Sequence, residues 1–146
     1  MTRYEKLLLK SRSDLCLVVG DVTSTMACAI SARKLGVPVA HVEAGIRSGD
    51  WTMPEEINRI LTDRVSTLLF CPTETSVRNL EKEGIGNNHG NRVVLSGDVM
   101  YDAALFYGER AGDPADMLDR LGVDPSNCIL STIHRAENTD DTERMT

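Results

Sequence analysis

The sequence predicts a doubly wound α/β fold, a parallel sheet with helices on both of its faces. Two observations carry that reading. Short runs rich in Val, Ile and Leu recur along the chain, and a segment of helical character separates each run from the next. A strand buried on both faces reads as a continuous apolar run rather than an alternating one, so such strands with intervening helices indicate parallel pairing. The Leu15 to Val19 and Val37 to Val42 runs are therefore expected to pair parallel.

The elements follow in order. A helical piece, Tyr4 to Lys10, feeds the first run, Leu15 to Val19. Helical Thr23 to Leu35 leads to the second run, Val37 to Val42, and Glu55 to Val65 leads to the third, Leu68 to Cys71. Helical Glu74 to Glu83 precedes a polar loop, Gly84 to Asn91, in which His89 is expected to be solvated, and then the fourth run, Val93 to Leu95. Met100 to Gly122 is helical with a break near Gly112-Asp113-Pro114, because proline forbids helix continuation into the preceding turn. A fifth strand is expected over Ile129 to Ile133. Both ends have the character of cuts: no strand precedes the first, and the fifth lacks the crossover helix that would cover it.

At 146 residues and 41% hydrophobic the chain suits one domain with a real core. Lys and Arg number 16 against 22 Asp and Glu, a net charge of −6, which argues against a nucleic-acid or anionic-membrane surface. No apolar run approaches the roughly 20 residues of a membrane helix, and the N-terminus lacks a signal-peptide stretch, so the cytoplasm is the default compartment. Cys16, Cys28, Cys71 and Cys128 are isolated from one another and are expected to be reduced core thiols.

Ligands of open α/β sheets bind beyond the carboxyl ends of the strands. The residues there are Gly20-Asp21 after the first run, His41 and Glu43 at the end of the second, Gly97-Asp98 after the fourth, and His134-Arg135 after the fifth. Carboxylates with a histidine on one sheet edge suit proton transfer. Each also has a purely structural reading. Asp21 suits a cap of the next helix, Glu43 a surface pair with Arg47, and Pro54-Glu55-Glu56 a favourable helix start with acids at the positive end of the dipole. His134 suits a half-buried histidine, and Asn138 or Thr139 a helix cap.

A metal site is not expected: His41-Val42-Glu43 offers two ligand types without a third ligand motif or a Cys-x-x-Cys. The chain also lacks the nucleophile elbow, the P-loop and the dinucleotide fingerprint.

Five strings in this order, Gly20-Asp21-Val-Thr-Ser-Thr, His41-Val-Glu43-Ala-Gly-Ile-Arg47-Ser, Met53-Pro-Glu55-Glu56-Ile-Asn58-Arg59, Phe70-Cys-Pro-Thr73-Glu and His134-Arg-Ala-Glu137-Asn138, resemble the non-hydrolysing UDP-N-acetylglucosamine 2-epimerases. Gly97-Asp-Val-Met-Tyr-Asp102 and the ending after His134 look like the branch acting on UDP-2,3-diacetamido-glucuronic acid. The resemblance implies a two-domain glycosyltransferase-B-type fold of Rossmann-like halves. Residues 1–99 would be the later part of the N-terminal domain, and 100–146 the hinge and start of the C-terminal nucleotide-binding domain. It further implies epimerisation at C2 of a UDP-N-acetylhexosamine by elimination and re-addition of UDP, for surface polysaccharide precursors, with no cofactor and no metal. The partners implied are a nucleotide-sugar substrate and, at full family length, a second copy in a homodimer.

On the same resemblance Asp21, Glu43, Glu55 and His134 would be catalytic, with His134 near the diphosphate or leaving oxygen. Arg59, Arg135, Glu137 and Asn138 would bind substrate, Arg59 orienting a carboxylate. Trp51 departs from the pattern, standing where many relatives carry a basic residue. A hydrolysing epimerase that releases N-acetylmannosamine and UDP, and an inactive truncated module, are the alternatives. The family's N-terminal Arg and Lys loop and its Ser-Gly-Gly diphosphate segment are absent from the sequence. Calorimetry on this chain alone is accordingly expected to find UDP binding weaker than about micromolar.

Overall fold

The computed structural model describes residues 2–86, 90–133, 136–140 and 142–143. His89, His134 and Arg135 therefore lie outside the described residues. The chain divides into two compact units, Met1–Ala104 and Leu105–Thr146.

The first unit runs α1 (Thr2–Ser11), β1 (Cys16–Val19), α2 (Thr23–Lys34), β2 (Val39–Val42), α3 (Pro54–Val65), β3 (Leu68–Cys71), α4 (Glu74–Lys82) and β4 (Arg92–Leu95). All four strands are parallel and adjacent in chain order, β1-β2-β3-β4. The register pairs Val18 with His41 and His41 with Leu69, which puts these three on one face together with Cys16, Val39 and Cys71. On that face Leu8 of α1 and Ala29 and Ala32 of α2 pack with Cys16, Val18 and Val39. Leu80 of α4 packs with Leu69 and Cys71 beside it.

The expected covering of both faces is corrected here. Neither core cluster includes a residue of the opposite face, where Leu17 is 58% and Val19 49% exposed. The helices of this unit contribute to the cores on one face only, so the alternation of strand and helix predicted the pairing but not the side on which each helix lies.

Local chemistry explains the helix starts. Thr73 caps α4 by accepting from the Ser76 amide, and Thr25 of α2 donates to the Val19 carbonyl at 2.8 Å, fixing the exit from β1. Pro54 opens α3, with Glu55 and Glu56 in its first turn.

Helix α5 (Val99–Arg110) crosses the unit boundary. The second unit holds α6 (Pro114–Leu121) and the short α7 (Ala136–Thr139). Asp113 caps α6 and Gly122 ends it at φ +65°, so the break at Gly112-Asp113-Pro114 falls between two helices. The expected fifth strand is absent: Ile129 and Leu130 are 96% and 94% exposed with no strand pairing. The described residues of this unit offer no strand to pair with, and an apolar run without a neighbour gains nothing from extending. Cys128 on the same stretch is exposed rather than a core thiol, whereas Cys16 and Cys71 are buried and Cys28 is half-buried.

Gly45, just past β2, has φ +77°, and a Cβ there would lie 2.4 Å from the Ser76 carbonyl oxygen of α4. Gly36 has a similar φ of +78° with open space around it. Gly45→Ala combines backbone strain with overpacking and is expected to cost about 3 kcal/mol in urea unfolding, against about 1 kcal/mol for Gly36→Ala, which meets strain alone.

Candidate active site

The carboxyl ends of β1, β2 and β4 bring three acidic residues into one electrostatic neighbourhood. Gly20 leaves β1 at φ +71° and delivers Asp21. Glu43 follows β2 and itself holds φ +71°, a left-handed conformation unusual for a residue with a Cβ. A Cβ on Gly20 would lie 3.8 Å from Glu43 Oε2, so the Glu43 carboxylate rests against the Gly20 turn. Asp98 follows β4 and accepts from the amides of Met100 and Tyr101, capping α5.

Helix α3 supports this edge with a polar inner face. Asn58 donates through Nδ2 to the Asp21 carbonyl at 2.8 Å, and Arg59 donates through Nη2 to Asp21 Oδ2. The same guanidinium reaches Glu56 Oε2 at 3.2 Å. Buried Glu56 accepts the amides of Ser48 and Gly49 at 2.9 and 3.0 Å, clamping the loop after β2 onto the helix. Two turns on, fully buried Asp63 accepts from Gly45 N at 3.0 Å and Arg47 Nη1 at 2.8 Å, and its Oδ1 meets His41 Nδ1 at 2.6 Å. His41 Nε2 closes the chain on the Gly20 carbonyl at 2.9 Å.

Charges in this arrangement displace proton affinities in opposite directions. Burial pushes the Glu43 carboxyl above its ordinary value, and Asp21 and Asp98 add to the rise, opposed by His41 and Arg59. Glu56 also meets a burial penalty, yet the Ser48 and Gly49 amides, the Ser48 hydroxyl and Arg59 outweigh it and hold its carboxyl below the ordinary value. Burial disfavours the charge on Arg47, but the bidentate pair with Glu83, at 2.7 and 2.9 Å, and the contact with Asp63 hold that guanidinium charged.

The structure brings Asp21, Glu43 and Arg59 together. Asp21 does not cap α2, whose N-cap Val22 makes no side-chain hydrogen bond, and Arg47 pairs with Asp63 and Glu83 rather than with Glu43. Glu55 is exposed on the first turn of α3, next to the buried Glu56. Asn138 lies exposed on α7 and the backbone of Glu137 belongs to the same helix, in the second unit. Both ring nitrogens of His41 are engaged, so neither is open to a metal.

Sequence reasoning missed the Glu56 clamp and the His41–Asp63–Arg47 network. The available signal was the spacing of Glu56, Arg59 and Asp63, at i, i+3 and i+7, which puts polar groups on one helix face.

The fold defines a class, the open parallel α/β sheet, and the strand-end edge where that class binds ligands here gathers carboxylates beside a guanidinium. More particularly, the chain belongs to the UDP-N-acetylglucosamine 2-epimerase family, whose profile matches residues 1–146. It is 50% identical over 146 residues to the UDP-2,3-diacetamido-2,3-dideoxy-D-glucuronate 2-epimerase of Pseudomonas aeruginosa, covering all of this chain and 40% of that protein. It is 43% identical to a UDP-N-acetylglucosamine 2-epimerase of Methanocaldococcus jannaschii, over 99% of this chain and 39% of that protein. A crystal structure of the Methanocaldococcus jannaschii UDP-GlcNAc 2-epimerase in complex with UDP-GlcNAc and UDP superposes with a TM-score of 0.85 at 42% identity, over 99% of this chain and 39% of that one. The chain thus spans about 40% of the length of the curated relatives it matches.

The opposed shifts of Glu43 and Glu56 give opposite stability effects. A raised carboxyl binds its proton more tightly in the folded state, so the stability it contributes is full at low pH and is lost as pH rises through the raised value. A lowered carboxyl contributes above its unfolded value and loses that contribution as pH falls through the lowered one. In urea unfolding at neutral pH, Glu43→Gln is expected to raise the midpoint and Glu56→Gln to lower it, with both differences shrinking as the solution is acidified.

Proposed function

We propose that this chain supplies the proton-transfer site of an epimerase acting at C2 of a UDP-linked 2-acetamido sugar. The carrying observation is the raised proton affinity of Glu43, resting against the Gly20 turn beside an Asp21 that is paired with Arg59. Inversion at C2 requires removal of a weakly acidic C–H proton and its return to the other face. Two carboxyl groups in different electrostatic settings, one burdened by burial and like charge and one paired with a guanidinium, suit such an exchange. They titrate as a set, so the pair rather than either member is the unit of catalysis.

The step takes the C2 proton onto a carboxylate while the C1–O bond breaks, UDP leaving with the electron pair and a glycal remaining. Re-addition of UDP at C1 and protonation of C2 from the opposite face complete the inversion. His134 is proposed near the diphosphate or leaving oxygen, with Arg135, Glu137 and Asn138 contacting substrate, on the family resemblance. Glu55 is proposed as a further acid/base group from the first turn of α3. The names of the relatives support a UDP-N-acetylhexosamine or its diacetamido-uronate counterpart as substrate.

In an epimerase of full family length that contains this chain, turnover in deuterium oxide is expected to place solvent deuterium at C2 of the product. Glu43→Gln and Asp21→Asn are expected to lose turnover by orders of magnitude with substrate binding kept, because an amide preserves shape but takes no proton. Glu55→Gln is expected to follow them; a loss of only about 0.5 kcal/mol of helix stability, with turnover intact, would make Glu55 a dipole partner instead. Retained C2 protium with near-normal turnover in all three variants would refute the reading.

A further inference from the structure

Histidine 41 sits at the centre of unit one with no exposed surface, and its two ring nitrogens make unlike demands on the proton count. Nε2 lies 2.9 Å from the Gly20 carbonyl oxygen, a group that can only accept, so Nε2 carries a proton. Nδ1 lies 2.6 Å from Asp63 Oδ1, a separation that needs a proton on the line between them. The pair therefore holds one proton more than a carboxylate facing a neutral imidazole. That proton belongs on nitrogen, because Asp63 Oδ2 already accepts the Gly45 amide and the Arg47 guanidinium, both of which favour the ionised carboxylate. With Arg47 in turn paired to Glu83, two positive and two negative charges form a closed, balanced set.

We propose that His41 is a buried imidazolium that positions the Gly20–Asp21 turn through its Nε2 proton. Its charge, two residues before Glu43 in the chain, favours ionisation of that carboxyl. It touches no substrate; it acts through the groups that do. The charged and titratable groups of its neighbourhood are Asp63 and Arg59 from α3, Asp21 from the β1 turn, Glu43 and Arg47 from β2 and its loop, Glu83 behind Arg47, and Cys71 from β3. The Cys71 thiol is pushed up to about 11 by burial and by Asp63. Among the groups acting on Glu43, His41 and Arg59 are those that oppose its rise, and Arg59 is already held by Asp21 and Glu56. The imidazolium thus offsets part of the burial penalty on the Glu43 carboxyl. Its functional meaning rests on the reading of Asp21 and Glu43 as the proton-transfer pair, but its charge state does not.

The test is spectroscopic and uses this chain. With histidine labelled in 15N, a long-range proton–nitrogen correlation spectrum at about pH 7.5 is expected to show one of the three histidines protonated on both nitrogens. Asp63→Asn is expected to convert that signal set to a neutral ring protonated on Nε2 alone, and His41→Gln to remove it. The carboxyl carbon of Glu43, followed by pH in 13C-labelled protein, is expected to titrate at higher pH in either variant than in the parent. Asp63→Asn preserves side-chain shape and carries this measurement if His41→Gln does not fold. A neutral His41 ring in the parent, or a Glu43 titration unmoved in a folded variant, overturns the proposal. Loss of the epimerase reading through retained C2 protium would leave these spectra as expected, so the two failures are distinguishable.

Discussion

The carboxylate of Asp63 is the constraint on which the sheet edge depends. It projects from α3 into a fully buried position and takes partners from β2, through His41, and from the loop after β2, through Gly45 and Arg47. Through His41 its influence extends to the Gly20 carbonyl at the end of β1. An uncompensated buried carboxylate would cost several kcal/mol, so these donors are required rather than ornamental. Satisfying it fixes where two strand ends and one helix stand relative to each other.

The consequence runs along α3. Its buried residues are Glu56, Asn58, Thr62 and Asp63, while Ile57 and Leu61 are 39% and 41% exposed. A helix that faces inward with polar groups binds by directed hydrogen bonds and not by interchangeable apolar area, which sets the angle and height of Asp21 and of the loop after β2. The apolar packing that holds the unit together lies elsewhere, in the clusters around Val39 and Leu69. Of α3, Val65 in its last turn joins that packing; its buried residues are polar.

The strands were legible because each is a short Val/Ile/Leu run, and the gathering of Gly20-Asp21 and Glu43 at one sheet edge was legible because each directly follows such a run. Both are local signals. The half-exposed face with Leu17 and Val19 was not legible, since a run destined for one covered face looks the same as one destined for two. Ile129 to Ile133 failed for a related reason: apolar and β-branched composition states what a segment can do, and only a neighbouring strand makes it do so. Glu56 and Asp63 were hidden by a stronger local explanation. Acids at a helix start are accounted for by the dipole, and an acid before an arginine late in a helix reads as solvated; neither pattern reveals a loop folding back onto that face.

Glu43 occupies a backbone conformation that asparagine, aspartate and glycine tolerate better than glutamate does. Its charge is also costly where it stands. Backbone and electrostatics therefore both penalise the residue that occupies the site. Under a screen for folding yield alone this position would drift toward glycine or asparagine, and on the proposed role of Glu43 the enriched variants would be the best behaved and the least capable. Consensus-style stabilisation of this chain would need to exempt that position, because with the proposed role of Glu43 sturdiness and chemistry select opposite residues there.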